Sequence, residues 1–144
     1  MQVAASLKRL YPSTPVAGVA STVFKDGKVL LVRRKYSLGK GNLGLPGEVV
    51  ELGEQAAMTA VREVYEETGV IVEPVRVITV FDSIVKDDEG KIKYHYTRAR
   101  VLKAATDVSE ALWAPINELE IFVVNPGTVR FIRRTARDEG KINI

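Results

Sequence analysis

The chain has 144 residues, 46% hydrophobic and 27% charged, the balance of an ordinary globular domain rather than a disordered or low-complexity segment. Lysine and arginine total 21 against 18 aspartate and glutamate, and a formal net charge of +3 is too mild to mark a nucleic-acid surface by itself. With no Cys and His95 as the single histidine, disulfide frameworks, thiolate metal sites, cysteine nucleophiles and two-histidine centres are excluded.

No apolar run approaches the roughly 18 residues a membrane helix needs, and Met1–Lys8 lacks the apolar stretch of a signal peptide. The expectation is a single cytoplasmic domain over residues 1–144. Asn and Gln number six together, which with the absence of Cys points weakly to a thermophilic source.

In chain order, residues 16–24 read as a buried strand of small and β-branched residues. Lys25-Asp26-Gly27-Lys28 is a hairpin turn, and Val29–Val32 the returning strand. Residues 35–47 carry Gly39, Gly41, Gly44, Pro46 and Gly47 and form a loop. Residues 55–68 form a helix whose apolar positions Ala57, Ala60, Val61 and Val64 keep helical spacing, with Gly69 as its C-terminal cap. Val70–Asp82 and Lys93–Lys103 are two long strands around an Asp87–Gly90 turn. A short strand at 111–114 leads through Pro115–Leu119 into a brief helix. Asn125-Pro126 then opens a last helix to about Arg137, Asn as N-cap and Pro in the first turn. The fold class is α+β: a mixed or antiparallel sheet with a helix on each side.

The helix at 55–68 carries the chemical signal. Glu63, Glu66 and Glu67 stand at i, i+3 and i+4, so three carboxylates share a face. Like charges at this spacing cost about 0.2–0.5 kcal/mol per pair, and they sit at the end of the helix that favours cations. A solvated acidic face is the plain reading. A hard divalent cation bound to oxygen ligands is the functional one. Residues 47–70 hold six Glu and one Arg, a local charge of −5 inside a chain of +3.

Leu45-Pro46-Gly47-Glu48-Val49-Val50-Glu51-Leu52-Gly53-Glu54, followed after seven residues by Arg62-Glu63-Val64-Tyr65-Glu66-Glu67-Thr68-Gly69-Val70, resembles the Nudix box, G-x5-E-x7-R-E-U-x-E-E-x-G-U with U aliphatic. Glu54, Arg62, Glu63, Val64, Glu66, Glu67, Gly69 and Val70 match in type and spacing. The resemblance implies an α/β/α sandwich with a mixed central sheet. It also implies hydrolysis of a phosphoanhydride, with Mg²⁺ or Mn²⁺, in a nucleoside diphosphate linked to another moiety such as ADP-ribose or a (d)NTP. By the same resemblance Glu63 and Glu67 are the principal metal ligands, with Glu66 and the Gly47 carbonyl assisting. Glu63 or Glu66 is the general base, and Arg62 orients the carboxylates through Glu54 or Glu66. Asp107 and Glu110 are candidates for a further carboxylate, Glu110 being counted among the metal ligands.

One position departs from the box: its opening Gly is Glu48 here. If that slot demands positive φ, a non-Gly residue costs about 1–2 kcal/mol. An added carboxylate also repels substrate or acts as a stray ligand. The alternative reading is therefore a nucleotide-binding module of Nudix fold with weak or no catalysis.

Arg33 and Arg34 are candidate phosphate contacts, and Tyr94 and Tyr96, sharing a strand face, candidate base-stacking rings. The region resembles ADP-ribose pyrophosphatase-like and MutT-like members, but the markers of particular substrates beyond the box are missing. Relatives commonly pair as homodimers, and Phe122, Val123 and Val124 are the candidate apolar patch. Arg130, Arg133, Arg134 and Arg137 make a basic stripe, for which nucleic-acid contact is the disfavoured reading.

Overall fold

The computed structural model describes residues 9–33, 43–107, 111–123 and 125–141. Seven strands form a mixed sheet: β1 (Val16–Lys25), β2 (Lys28–Arg33), β3 (Leu43–Gly44), β4 (Gly47–Val49), β5 (Ile71–Lys86), β6 (Ile92–Asp107) and β7 (Leu112–Pro115). Helix α1 spans Ala56–Thr68, a 3-10 turn at Ile116–Glu118 leads into α2 (Leu119–Phe122), and α3 spans Pro126–Asp138. The path runs β3-β2-β1-β6-β5, with β4 joined to β1 and β7 to β2.

β1 is the axis. Along one side it pairs in parallel with β6 over its first eight residues. Its other side is divided, Gly18–Ala20 pairing with β4 and Phe24–Lys25 with β2. A strand with neighbours on both sides and layers above and below must be apolar or small throughout, and Val16, Val19, Ser21, Thr22 and Val23 are all buried.

Local signals explain the joints. Asp26 and Gly27 both take positive φ (49° and 75°), the geometry that lets a two-residue turn follow the twist of its strands. Gly69 closes α1 in the left-handed conformation, its N–H donating to the Tyr65 carbonyl. Asn125 caps α3, its side chain accepting from the N–H groups of Gly127 and Thr128.

Alternate residues of β2 divide the core between the two layers. Leu30 joins Val23, Val64, Val70 and Val72 beneath α1. Val29 and Leu31 face the other way, into Ile116, Leu119, Val129 and Ile132 beneath α3. The α/β/α sandwich follows from that alternation.

The β5–β6 hairpin is longer than Val70–Asp82 and Lys93–Lys103. The ladder runs up to Lys86↔Ile92, because the Asp87 side chain accepts from the N–H groups of Glu89 and Lys91 and forms a tight turn. β5 lies at the sheet edge with Val75, Val77, Val80 and Ile84 exposed.

The apolar patch expected at Phe122 and Val123 is corrected by the structure. Val123 is buried in the core and Phe122 packs against it, because the single turn of α2 directs positions 119, 122 and 123 inward and leaves Ile121 outside. Val124 lies outside the described residues, as do Gly39 and Gly41 of the glycine-rich loop. The basic stripe on α3 is also interrupted. Arg133 forms an ion pair with Glu120 and donates from Nε to the Ile116 carbonyl.

Candidate active site

Gly47 begins β4 where that strand crosses β1. A Cβ at this position would lie 2.7 Å from the Val19 carbonyl oxygen, so only glycine fits. The Pro46 carbonyl accepts from the Ser21 N–H at 2.7 Å, fixing the strand's entry. Glu48 follows in extended conformation, paired across to Val19, and its φ is not positive. The strain expected from replacing the box Gly is therefore absent. Its Oε1 accepts from the Val49 N–H at 2.8 Å and from Arg9 at 3.3 Å.

Arg62 organises α1. Nε and Nη2 hold both oxygens of Glu54 at 2.8 and 2.9 Å, and Nη1 reaches Glu63 at 2.5 Å and Glu66 at 2.9 Å. Thr59 donates to Glu54 as well, at 2.7 Å. The Arg62 and Thr59 hydrogen bonds hold the Glu54 carboxyl down to about 2, and the same carboxylates raise Arg62 above its ordinary value. Glu63 moves the other way: burial, then the negative charge of Glu48, raises it.

These groups border a cavity of about 250 Å³ whose two walls differ in sign. Gly47, Glu48, Glu63 and Glu67 line one, from β4 and α1; Arg98 and Arg100 line the other, on β6, with Arg9 and Arg33 also contributing. Phe81, Tyr96 and Thr128 complete it.

The structure thus brings Gly47, Glu63, Glu67, Arg33 and Tyr96 together. It does not bring Glu66 or Tyr94 to the cavity wall. The Glu66 side chain is 51% exposed against 13% for Glu63, because Arg62 holds it on the outer flank of the helix. Tyr94 shares the strand face of Tyr96 but lies beyond the end of β1, whose pairing with β6 starts at Val16↔Tyr96. Arg34, Glu110 and the side chain of Asp107 lie outside the described residues. Sequence reasoning missed Arg9, Arg98 and Arg100. The period-two pattern that singled out Tyr94 and Tyr96 continues through positions 98 and 100, and that signal was available.

Among the described residues no three His, Cys, Asp or Glu side chains converge tightly enough to hold an ion by themselves. The donor chemistry nevertheless fits a hard divalent cation. Mg²⁺ is commonly held by one or two carboxylates, with substrate phosphates and water completing the shell. Glu63 and Glu67, with the Gly47 backbone beside them, supply such a set.

The NUDIX domain model matches residues 13–135. The chain belongs to the NUDIX family. The ADP-ribose pyrophosphatase of Methanocaldococcus jannaschii is 36% identical over 114 residues, covering 76% of this chain and 66% of that protein. The chain therefore spans just under two thirds of that relative's length. A NUDIX hydrolase from Nitrosomonas europaea superposes with a TM-score of 0.71 at 22% identity, covering 87% of this chain and 90% of the other. The NUDIX domain of Shewanella oneidensis NrtR, complexed with ADP ribose, gives 0.66 at 18% identity over 95% and 96%. Both likenesses concern the Nudix fold. No helix among the described residues of this Nudix chain is long and apolar enough to cross a membrane.

Proposed function

We propose that this Nudix protein is a Mg²⁺- or Mn²⁺-dependent pyrophosphohydrolase of a nucleoside diphosphate linked to a second moiety, with ADP-ribose the first substrate to test. The observation that carries this reading is the Arg62 hub, which fixes Glu63 beside Glu67 and Gly47 on one wall of a cavity whose other wall is cationic. The similarity to an ADP-ribose pyrophosphatase supports the choice of substrate.

Glu63 and Glu67 are the residues we assign to the ion. When bound, a divalent ion neutralises diphosphate charge and makes water a stronger nucleophile. The oxygen of water attacks one phosphorus, the bond to the bridging oxygen breaks, and two phosphomonoesters leave. The water's proton goes to a carboxylate of α1. Of the two candidates, Glu63 faces the cavity and Glu66 does not. Arg62 touches no reacting atom and acts by positioning. Arg33 is placed to contact phosphate, and Tyr96 to contact the base or sugar.

One observation favours the binding-module reading: Glu48 adds a carboxylate to the acidic wall and raises the proton affinity of Glu63. A panel of ADP-ribose, dinucleotides and nucleoside triphosphates with Mg²⁺ or Mn²⁺ separates the two. Hydrolysis that falls at least 100-fold in Glu67→Gln supports the enzyme. No turnover by the wild type, with turnover restored in Glu48→Gly, supports the binding module. No hydrolysis by either protein overturns the enzymatic reading.

A further inference from the structure

Arg100 occupies an unusual position on the cationic wall. Its Cζ lies 4.1 Å from the ring centroid of Phe81 on β5 and 4.0 Å from that of Phe131 on α3. The guanidinium thus meets one aromatic ring from the sheet and one from the last helix. Neither ring can accept hydrogen bonds from the guanidinium edge as a carboxylate would. Among the described residues Arg100 has no ion pair, and its Nε, shielded from solvent, has no acceptor. Burial, and secondarily the nearby Arg98, lowers its proton affinity, yet a guanidinium remains charged under any physiological condition.

Arg100 is half-buried, and a shielded guanidinium N–H without an acceptor is costly beside a charge that no carboxylate neutralises. Among the described residues no carboxylate forms an ion pair with Arg100. Glu54, Glu63 and Glu66 are gathered by Arg62, Glu48 by Arg9, and Glu120 by Arg133. Meanwhile Arg100 lines the same cavity as Glu63 and Glu67. Two rings at this distance restrict the guanidinium's motion, and a guanidinium edge so held suits two oxygens of one group.

We propose that Arg100 is an anion receptor of this cavity, binding a phosphate group of the nucleotide edge-on through its guanidinium fork. The inference deepens the nucleotide reading above and rests on it for the identity of the anion. It makes part of the substrate's affinity independent of the divalent ion, and it makes Phe81 and Phe131 positioning residues.

Calorimetric titration of the full chain in EDTA at low salt, with ADP, inorganic pyrophosphate and adenosine as probes, tests it without turnover. The wild type is expected to bind ADP and pyrophosphate and to bind adenosine at least tenfold more weakly than ADP. Arg100→Met is expected to weaken ADP and pyrophosphate at least tenfold and leave adenosine within twofold. Arg100→Lys, which keeps the charge and loses the fork, is expected to fall between and provides the comparison should Arg100→Met not fold. ADP affinity within twofold of wild type in Arg100→Met overturns the proposal, or in Arg100→Lys if only that variant folds. So does adenosine weakened as much as ADP, which is the signature of packing, or no ADP binding by the wild type. A protein that hydrolyses nothing but binds ADP through Arg100 keeps this inference and loses the enzymatic one.

Discussion

Arg62 holds both carboxylate oxygens of Glu54, eight residues earlier in the chain, so the approach to α1 is bolted to the middle of the helix. Gln55 at the N-terminus of α1 makes no side-chain capping bond, and Thr59 in the first turn donates to the same Glu54 carboxylate. A bidentate, charge-assisted pair of this kind is among the stronger polar interactions available to a partly buried site.

Glu54→Gln should therefore cost about 1–2 kcal/mol near neutral pH, roughly 3–8 °C in Tm. The folded-state carboxyl sits at about 2 against an ordinary value of 4.5. Its stabilisation is present above pH 4.5 and is lost as pH falls toward 2. Thermal melts of both proteins across that window should converge at the acid end. Curves that stay parallel down to pH 2 would show that the pair contributes little.

Lys103 gives the opposite sign. It is 2% exposed, and its ammonium donates to the Ala57 carbonyl at 3.2 Å. Burial lowers it to about 8 from 10.5. The unfolded chain binds the extra proton between those values, so wild-type stability should rise as pH goes from 8 to 10.5. Lys103→Met should be more stable than wild type at pH 7, by about 1–3 kcal/mol, with the advantage shrinking toward pH 10.5. Chemical denaturation at pH 7 and pH 10 checks it, and a destabilised Lys103→Met refutes it.

Two glycines of the box region should respond differently to alanine. At Gly47 the new Cβ would meet the Val19 carbonyl oxygen, so β4 must move off β1 and carry Glu48 with it. At Gly53 the φ of 84° is strained for alanine but the space is open. Gly53→Ala should cost about 1–2 kcal/mol with hydrolysis nearly intact. Gly47→Ala should lose hydrolysis at least tenfold. Equal activities in the two variants would remove Gly47 from the site.

Glu48→Gln tests the charge at the departing position without touching the backbone. The negative charge of Glu48 contributes to the raised proton affinity of Glu63, so removing it lets Glu63 ionise at lower pH. The acid limb of the pH–rate profile should shift downward while Tm changes little. A limb that does not move would leave burial and the charge of Glu66 as the causes.

Much of the fold is legible in the sequence because its joints are made by local chemistry. Asp26-Gly27, Gly69 and Asn125-Pro126 each need only their own neighbours to define a turn or a cap. The resemblance to the box implied that Arg62 pairs with Glu54 or Glu66, and it holds both. Three matters did not follow. Helical spacing put Glu66 with Glu63 and Glu67, and only the reach of Arg62 distinguishes them. Phe122 and Val123 read as surface because a four-residue helix has too little periodicity to show an inward face. The aromatic setting of Arg100 did not show, since alternation on β6 places it on the face of Tyr96 but cannot say that Phe131, 31 residues later, will lie against it.

The two cavity walls come from separate parts of the chain: the acids from β4 and α1, the guanidinium pair at Arg98 and Arg100 from β6. Gly18 of β1 stands between them, where a Cβ would come within 3.2 Å of Arg98 Cγ and 3.4 Å of the Glu48 carbonyl oxygen. Mutation can thus redraw the β6 wall while the acidic wall stays as it is. Under the proposed function the acidic wall sets the reaction and the β6 wall the substrate preference, so one short motif can identify the first while being silent on the second.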